Sequence, residues 1–216
     1  HDDWRLPTIE ELASILDYGT HSPTIDTTAF PGTPNSEFWT GSPHQTAENS
    51  AWYLNFQWGA NYVVANNLDT PRYARCVRGA TYHVSPPGRF VVSGAPGSEI
   101  VEDLATGLVW QKEHTTEQDW QAALAHCEGS GYAGLFDWRL PDINELRSLY
   151  DSTLADPASE FPGMPYDFGL KYWSSTTYVF PATDTGAFYV GPQDGYFYGG
   201  HKTNSTEAVR CVRGGP

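Results

Sequence analysis

The sequence is short of positive charge. Twelve Lys and Arg residues stand against 26 Asp and Glu, a formal net charge of −14 over 216 residues with histidine neutral. A polyanion binder needs a basic face that displaces counterions from phosphates, so nucleic acid is not an expected partner. An anionic membrane surface is disfavoured for the same reason. No apolar run approaches the roughly 18 residues that span a bilayer, so no membrane insertion is expected. The segment His1-Asp2-Asp3-Trp4 is neither a signal peptide nor a methionine start, so a mature, cut or partial product is expected.

Cysteine is equally scarce. Cys76, Cys127 and Cys211 are too few for a disulfide scaffold and too scattered for a zinc site. The seven histidines show no H-x-x-x-H or H-x-H spacing, and G-x-x-x-x-G-K, G-x-G-x-x-G and G-x-S-x-G runs are missing. Nothing here points to catalysis, and an enzyme is not expected. What the chain does have is aromatic residues, 14% including 8 Trp and 13 Tyr, with 21 Gly and 16 Pro. That is the composition of a turn-rich globule, mostly β or α+β, and with the helices below an α+β class is expected.

The chain repeats itself. Asp3-Trp4-Arg5-Leu6-Pro7 recurs as Asp137-Trp138-Arg139-Leu140-Pro141, and residues 3–17 match 137–151 at ten of fifteen positions. Arg75-Cys76-Val77-Arg78-Gly79 recurs as Arg210-Cys211-Val212-Arg213-Gly214. Asp3 to Gly79 is 76 steps and Asp137 to Gly214 is 77, so a tandem duplication is expected. Phe30-Pro31-Gly32 against Phe161-Pro162-Gly163, and Phe38-Trp39 against Tyr172-Trp173, keep the order between these landmarks. Three units follow: 1–80 as a partial first copy, 81–88 as a linker containing Pro86-Pro87-Gly88, and 89–216 as a complete second copy. Ahead of the second DWRLP lies a segment from about Arg89 to Leu135 that the first copy lacks. Cys127 and Cys211 both lie in the complete copy and can pair, whereas the partner of Cys76 would sit before His1 or in another chain.

Periodicity supplies the elements. Thr8 with Glu11 and Asp142 with Glu145 read as helix caps with a reciprocal acid three residues on. Trp120, Ala123, Leu124 and Cys127 mark a helix from about Glu117 to Glu128 with Cys127 on its buried side. Strands are expected over residues 52–56, 72–78, 89–93, 99–103, 108–112, 188–191 and 207–213, with Thr106-Gly107 in a turn.

These motifs resemble a known family, the C-terminal domain of the Legionella collagen-like protein. The resemblance rests on the run from Asp103 to Lys112, on Ala122 to Cys127, on Asp137 to Pro141 with Glu145-Leu146, on Tyr172 to Ser175, and on Val209 to Gly214. It covers residues 89–215 fully and residues 1–80 from DWRLP onward. It implies variants of the C-type-lectin-like fold: two short helices, a small antiparallel sheet joining N- and C-terminal strands, and long ligand-binding loops. It also implies an extracellular or bacterial cell-surface location, as adhesin modules that bind sulfated polysaccharides or as targets of sequence-diversifying systems. A −14 chain repels a sulfated ligand within a Debye length, so a neutral glycan, a surface protein or a calcium-bridged ligand fits it better.

The DWRLP motif reads as a fold signature, with Asp and Arg fixing the helix entrance while Trp and Leu pack. A helix cysteine and a terminal-strand cysteine 84 residues apart read as a structural staple of an exported protein, with a redox-active pair as the alternative. Candidate ligand-binding residues are Tyr178, Tyr196, Tyr198, His201, Lys202 and Asn204 in the second copy and Trp58 and Tyr62 in the first, because tyrosine gives large contact area with few rotors to freeze. No cofactor is required. Calcium is the one candidate, through Asp26, Asp167, Asp184 and Asp194, with no EF-hand-like series behind it. The expected function is non-enzymatic recognition or adhesion. The alternative is a structural repeat of a surface fibre, self-assembled head-to-tail by inter-chain completion of the first copy and Cys76.

Overall fold

The computed structural model describes residues 3–45, 48–65, 68–81, 86–154, 159–165, 167, 169–178, 186–191 and 195–215. In chain order the elements are β1 (Trp4–Arg5), α1 (Ile9–Ala13), β2 (Glu37–Pro43), β3 (Ser50–Asn55), β4 (Ala60–Ala65), β5 (Val77–Arg78), β6 (Phe90–Ser93), β7 (Ile100–Asp103), β8 (Leu108–Gln111), β9 (Thr115–Gln118), α2 (Trp120–Glu128), α3 (Ile143–Arg147), β10 (Tyr172–Thr177), β11 (Gly186–Val190), β12 (Phe197–His201), β13 (Glu207–Val209) and β14 (Val212–Gly214). The chain is mixed α/β, mostly strand. Its sheets run β1-β5, β2-β3-β4, β14-β8-β7-β6 and β12-β11-β10-β13-β9. Among the described residues all pairs of these strands are antiparallel except β10 with β13.

The two DWRLP motifs do the same work in each half. Thr8 caps α1 and Asp142 caps α3, each in a capping box closed by Glu11 or Glu145. Arg5 forks onto Glu11 at 2.6 Å through both terminal nitrogens, and Arg139 does the same to Glu145. Each Arg also donates to the end of its RCVRG strand, at Gly79 and Ala80 O or at Gly214 O. Asp3 pairs with Arg78 and Asp137 with Arg213. A five-residue helix is marginal alone, so these ties and the packing of Ile9, Leu12, Ile143 and Leu146 hold both in place.

The halves then diverge. Cys127 on α2 bonds Cys211 and both are fully buried. They form a second core with Trp138, Leu140 and Trp173. In the first half Cys76 is a free, exposed thiol, and Trp4 is 56% exposed where Trp138 is 2%. The packing expected of Trp and Leu in DWRLP is therefore met only in the second half, where α2 and the hairpin strands cover them.

Three elements differ from the sequence reading by more than two residues or by a break. The helix starts at Trp120 rather than Glu117, because Asp119 takes the cap and Thr115–Gln118 forms β9 against β13. Of residues 72–78 only Val77–Arg78 is strand, with an isolated bridge from Tyr73 to Phe38. The expected strand 207–213 breaks at Arg210 and Cys211, where the chain passes from one sheet to another. Arg210 is 1% exposed there and donates to the carbonyls of Gln111 and Lys112.

Both halves feed one main core. It joins Leu12, Ile25, Leu54 and Phe56 of the first to Val101, Leu146, Phe188 and Val212 of the second. Across the junction Arg147 donates to Ala13 O and Tyr18 Oη, Asn61 Nδ2 donates to Gly195 O, and Phe197 N–H donates to Asn61 Oδ1. Glu10 Oε1 accepts the Ser152 N–H at 2.8 Å.

Candidate functional site

This junction leaves a cleft of about 280 Å³. Its apolar walls include Ile9, Trp52, Tyr150 and Phe197, all buried, and its polar lining includes Glu10, Asn144 and Arg147. Trp52 comes from β3, Phe197 opens β12, and the polar groups come from α1 and α3. The cleft is thus framed by rigid elements of both halves, the placement that favours a pre-formed binding site.

Its hydroxyl groups are engaged. Ser14 Oγ donates to Glu11 O and Ser148 Oγ to Glu145 O, both at 2.7 Å, while Ser152 Oγ bonds Ser42 Oγ at 3.2 Å. Among the described residues the lining contains no histidine. Arg147 is held over the Phe197 ring at 4.4 Å and donates to Asn144 Oδ1 at 3.1 Å. An aromatic wall with an amide, a carboxylate and a guanidinium beside it can bind a polar, ring-bearing group and orient it.

The structure distributes the sequence-derived candidates over several places. Tyr196 packs on Trp52 at an interplanar angle of 59° with centroids 4.7 Å apart, beside the cleft. Tyr62 and Tyr198 occupy matching positions on β4 and β12: Trp39 pairs with Tyr53 and Tyr53 with Tyr62, as Trp173 pairs with Tyr189 and Tyr189 with Tyr198. Both are half-buried. Burial raises the Tyr62 pKa, and the phenols of Tyr53 and Tyr198 with the Glu37 carboxylate add to it. These tyrosines form an aromatic strip, extended by Arg72 between the Trp39 and Tyr53 rings at 4.4 and 4.1 Å.

The remaining candidates lie elsewhere. Tyr178 packs on Phe188, its ring lying where side chains at Gly186 and Gly199 would sit. Lys202 lies over Trp120 on the α2 side, His201 is exposed at the end of β12, and Asn204 closes the following turn onto His201 O. Trp58 is 40% exposed in the β3–β4 turn. Among the described residues no three His, Cys, Asp or Glu side chains gather as metal ligands. Asp26 accepts the N–H groups of Thr28 and Ala29, and Asp167 that of Gly169, so both carboxylates shape turns. Asp184 and Asp194 lie outside the described residues.

Sequence reasoning missed Glu10, Asn144 and Arg147. They sit beside the repeated motif and were absorbed into the capped helices. A signal was present: residues 10 and 144, 13 and 147, and 16 and 150 are positions where the similar stretches 3–17 and 137–151 differ, and Glu10, Asn144, Arg147 and Tyr150 line the cleft.

No helix of the described residues is long and apolar enough to cross a membrane, and the Cys127–Cys211 disulfide fits an extracytoplasmic location. No curated protein and no solved structure matches the chain. The landmarks that build both halves, DWRLP with its capped helix and RCVRG with its arginine pairs, fall inside residues 1–78 and 99–213, which match the family described as the Lcl C-terminal domain, and the chain belongs to that family.

Proposed function

We propose that the chain is a non-enzymatic, extracellular bacterial recognition or adhesion module, a tandem pair of C-type-lectin-like units that binds a glycan or a surface protein. The observation that carries this reading is the cleft where the halves meet, with Trp52 and Phe197 as walls and Glu10, Asn144 and Arg147 in its lining. The serine hydroxyls there are spent on structural hydrogen bonds, which favours binding over nucleophilic chemistry. The Tyr62–Tyr198 strip supplies a further contact surface of the kind recognition proteins use.

Ser14 is exposed and lines the cleft, so Ser14→Trp places a bulky ring over it without disturbing the core. On an array of glycans and bacterial and host surface proteins, read in calcium and in EDTA, Ser14→Trp is expected to bind at least about tenfold more weakly than the parent protein, a loss of about 1.4 kcal/mol. Equal binding by both proteins would remove the cleft from recognition.

A second reading, a structural repeat of a surface fibre, is favoured by one asymmetry. The RCVRG strand of the second half pairs with β8, bridges Arg139 and bonds Cys127, whereas among the described residues β5 pairs with β1 alone and Cys76 is exposed. An open strand edge beside a free thiol accepts another strand. Intact mass under non-reducing conditions is then expected to show Cys76 bonded to a second chain. A stable monomer with one titratable thiol would defeat the fibre reading.

A further inference from the structure

We propose that the cleft accepts an aromatic ring, a tyrosine-like side chain of a protein ligand, which occupies there the place that Tyr18 fills on the opposite side of the junction. The inference rests on the recognition reading and specifies the chemistry of its ligand.

The strand registers define counterparts in the two halves. Trp39-Tyr53-Tyr62 aligns with Trp173-Tyr189-Tyr198, which makes Trp52 the counterpart of Phe188, Gly59 that of Gly195 and Asn61 that of Phe197. Residues 3–17 align with 137–151, and the next position sets Tyr18 against Ser152. Contacts across the junction join counterparts to each other, Asn61 with Phe197 and Ala13 with Arg147, as a local two-fold arrangement requires.

On one side of that arrangement Tyr18 lies edge-on to Phe188, with ring centroids 4.7 Å apart. A Cβ built on Gly59 would come within 3.1 Å of its ring, and its hydroxyl accepts a hydrogen bond from Arg147 at 3.2 Å. On the other side the counterparts of these neighbours, Trp52 and Gly195, line the cleft together with Ser152. The cleft is the volume left where serine replaces tyrosine. Trp52 carries the Tyr196 ring on one side at 4.7 Å, yet the volume that Trp52, Gly195 and Ser152 border stays open, and Glu10 supplies a carboxylate acceptor for a phenol hydroxyl. Edge-to-face aromatic contact adds to the burial of such a ring.

The probe is N-acetyl-L-tyrosinamide, titrated to about 10 mM into the whole chain and followed by amide and indole NMR shifts, with a methyl glycopyranoside in parallel. Saturable shifts at the Trp52 indole and the Gly195 amide are expected in the parent protein. They are expected to vanish in Ser152→Tyr, which fills the cleft from within and raises Tm by about 2–4 °C. Ser152→Phe gives the same blockade without the hydroxyl, should the tyrosine variant fold poorly. No saturable response to the tyrosine probe, or a response that survives in both filled variants, overturns the inference. Saturation by the glycopyranoside alone also overturns it and leaves the recognition reading standing. That reading falls separately, on an array response unchanged by Ser14→Trp.

Discussion

Replacing Cys127 and Cys211 together by alanine is expected to lower the unfolding free energy by about 4–5 kcal/mol and Tm by about 10–15 °C. The bridge closes a loop of 84 residues' separation, so its loss releases a large chain entropy in the unfolded state. The folded state also depends on it. Cys127 is on the buried side of α2, whose nine residues are held by Trp120 Nε1 donating to Ser174 O and by Ala123 in the second core. Urea titration of the double variant against the parent tests the magnitude. A loss under about 1 kcal/mol would mean that the unfolded chain is already compact around this segment. Cys76→Ser is the internal control: its counterpart is buried and bonded, but Cys76 is exposed, so its replacement is expected to stay within about 0.5 kcal/mol.

Much of this architecture was legible in the sequence because it rests on local rules. Thr8 with Glu11 and Asp142 with Glu145 announce their helices through chemistry three residues apart, and the Cys127–Cys211 bridge joins the two cysteines that flank the second DWRLP motif. The strands β2, β4, β10 and β12 were not legible. Gly199 and Gly200 in β12, and Gly41 in β2, are residues that strands usually avoid, and here the glycines of β12 make room for the Tyr178 and Tyr189 rings. The cleft was legible least of all. Tyr178 and Lys202 carry the right residue types, yet one packs on Phe188 and the other on Trp120. The cleft instead lies where α1, α3, β3 and β12 meet, with Ser152 in its lining. Its meaning depends on how the halves pack, which no local pattern encodes.

The second large effect is expected at Asp103, where alanine should cost about 3–5 kcal/mol. Asp103 and Arg89 form an ion pair with side chains 0% and 1% exposed, and Arg89 Nε donates to Asp103 Oδ1 at 2.6 Å. The same carboxylate accepts the Ala105 N–H at 3.0 Å and the Thr106 hydroxyl at 2.8 Å, fixing the turn that Gly107 completes at φ +73°. Alanine at 103 removes the carboxylate that balances the buried Arg89 charge and frees the turn. Removing both charges, as Arg89→Met with Asp103→Leu, is therefore expected to cost less than Asp103→Ala alone. Acid supplies an independent test. Burial by itself would raise the Asp103 pKa, but hydrogen bonds from Arg89, Thr106 and Ala105 outweigh it and hold the carboxyl below its ordinary value. A group depressed in the folded state stabilises the fold above its unfolded pKa, about 3.9, and that stabilisation is lost as pH falls through the folded value. The stability gap between the parent protein and Asp103→Asn is thus expected to be constant from about pH 7 to 5 and to narrow below about pH 4. A gap that stays constant down to about pH 2 would show that the carboxylate acts through its shape in the turn rather than through its charge.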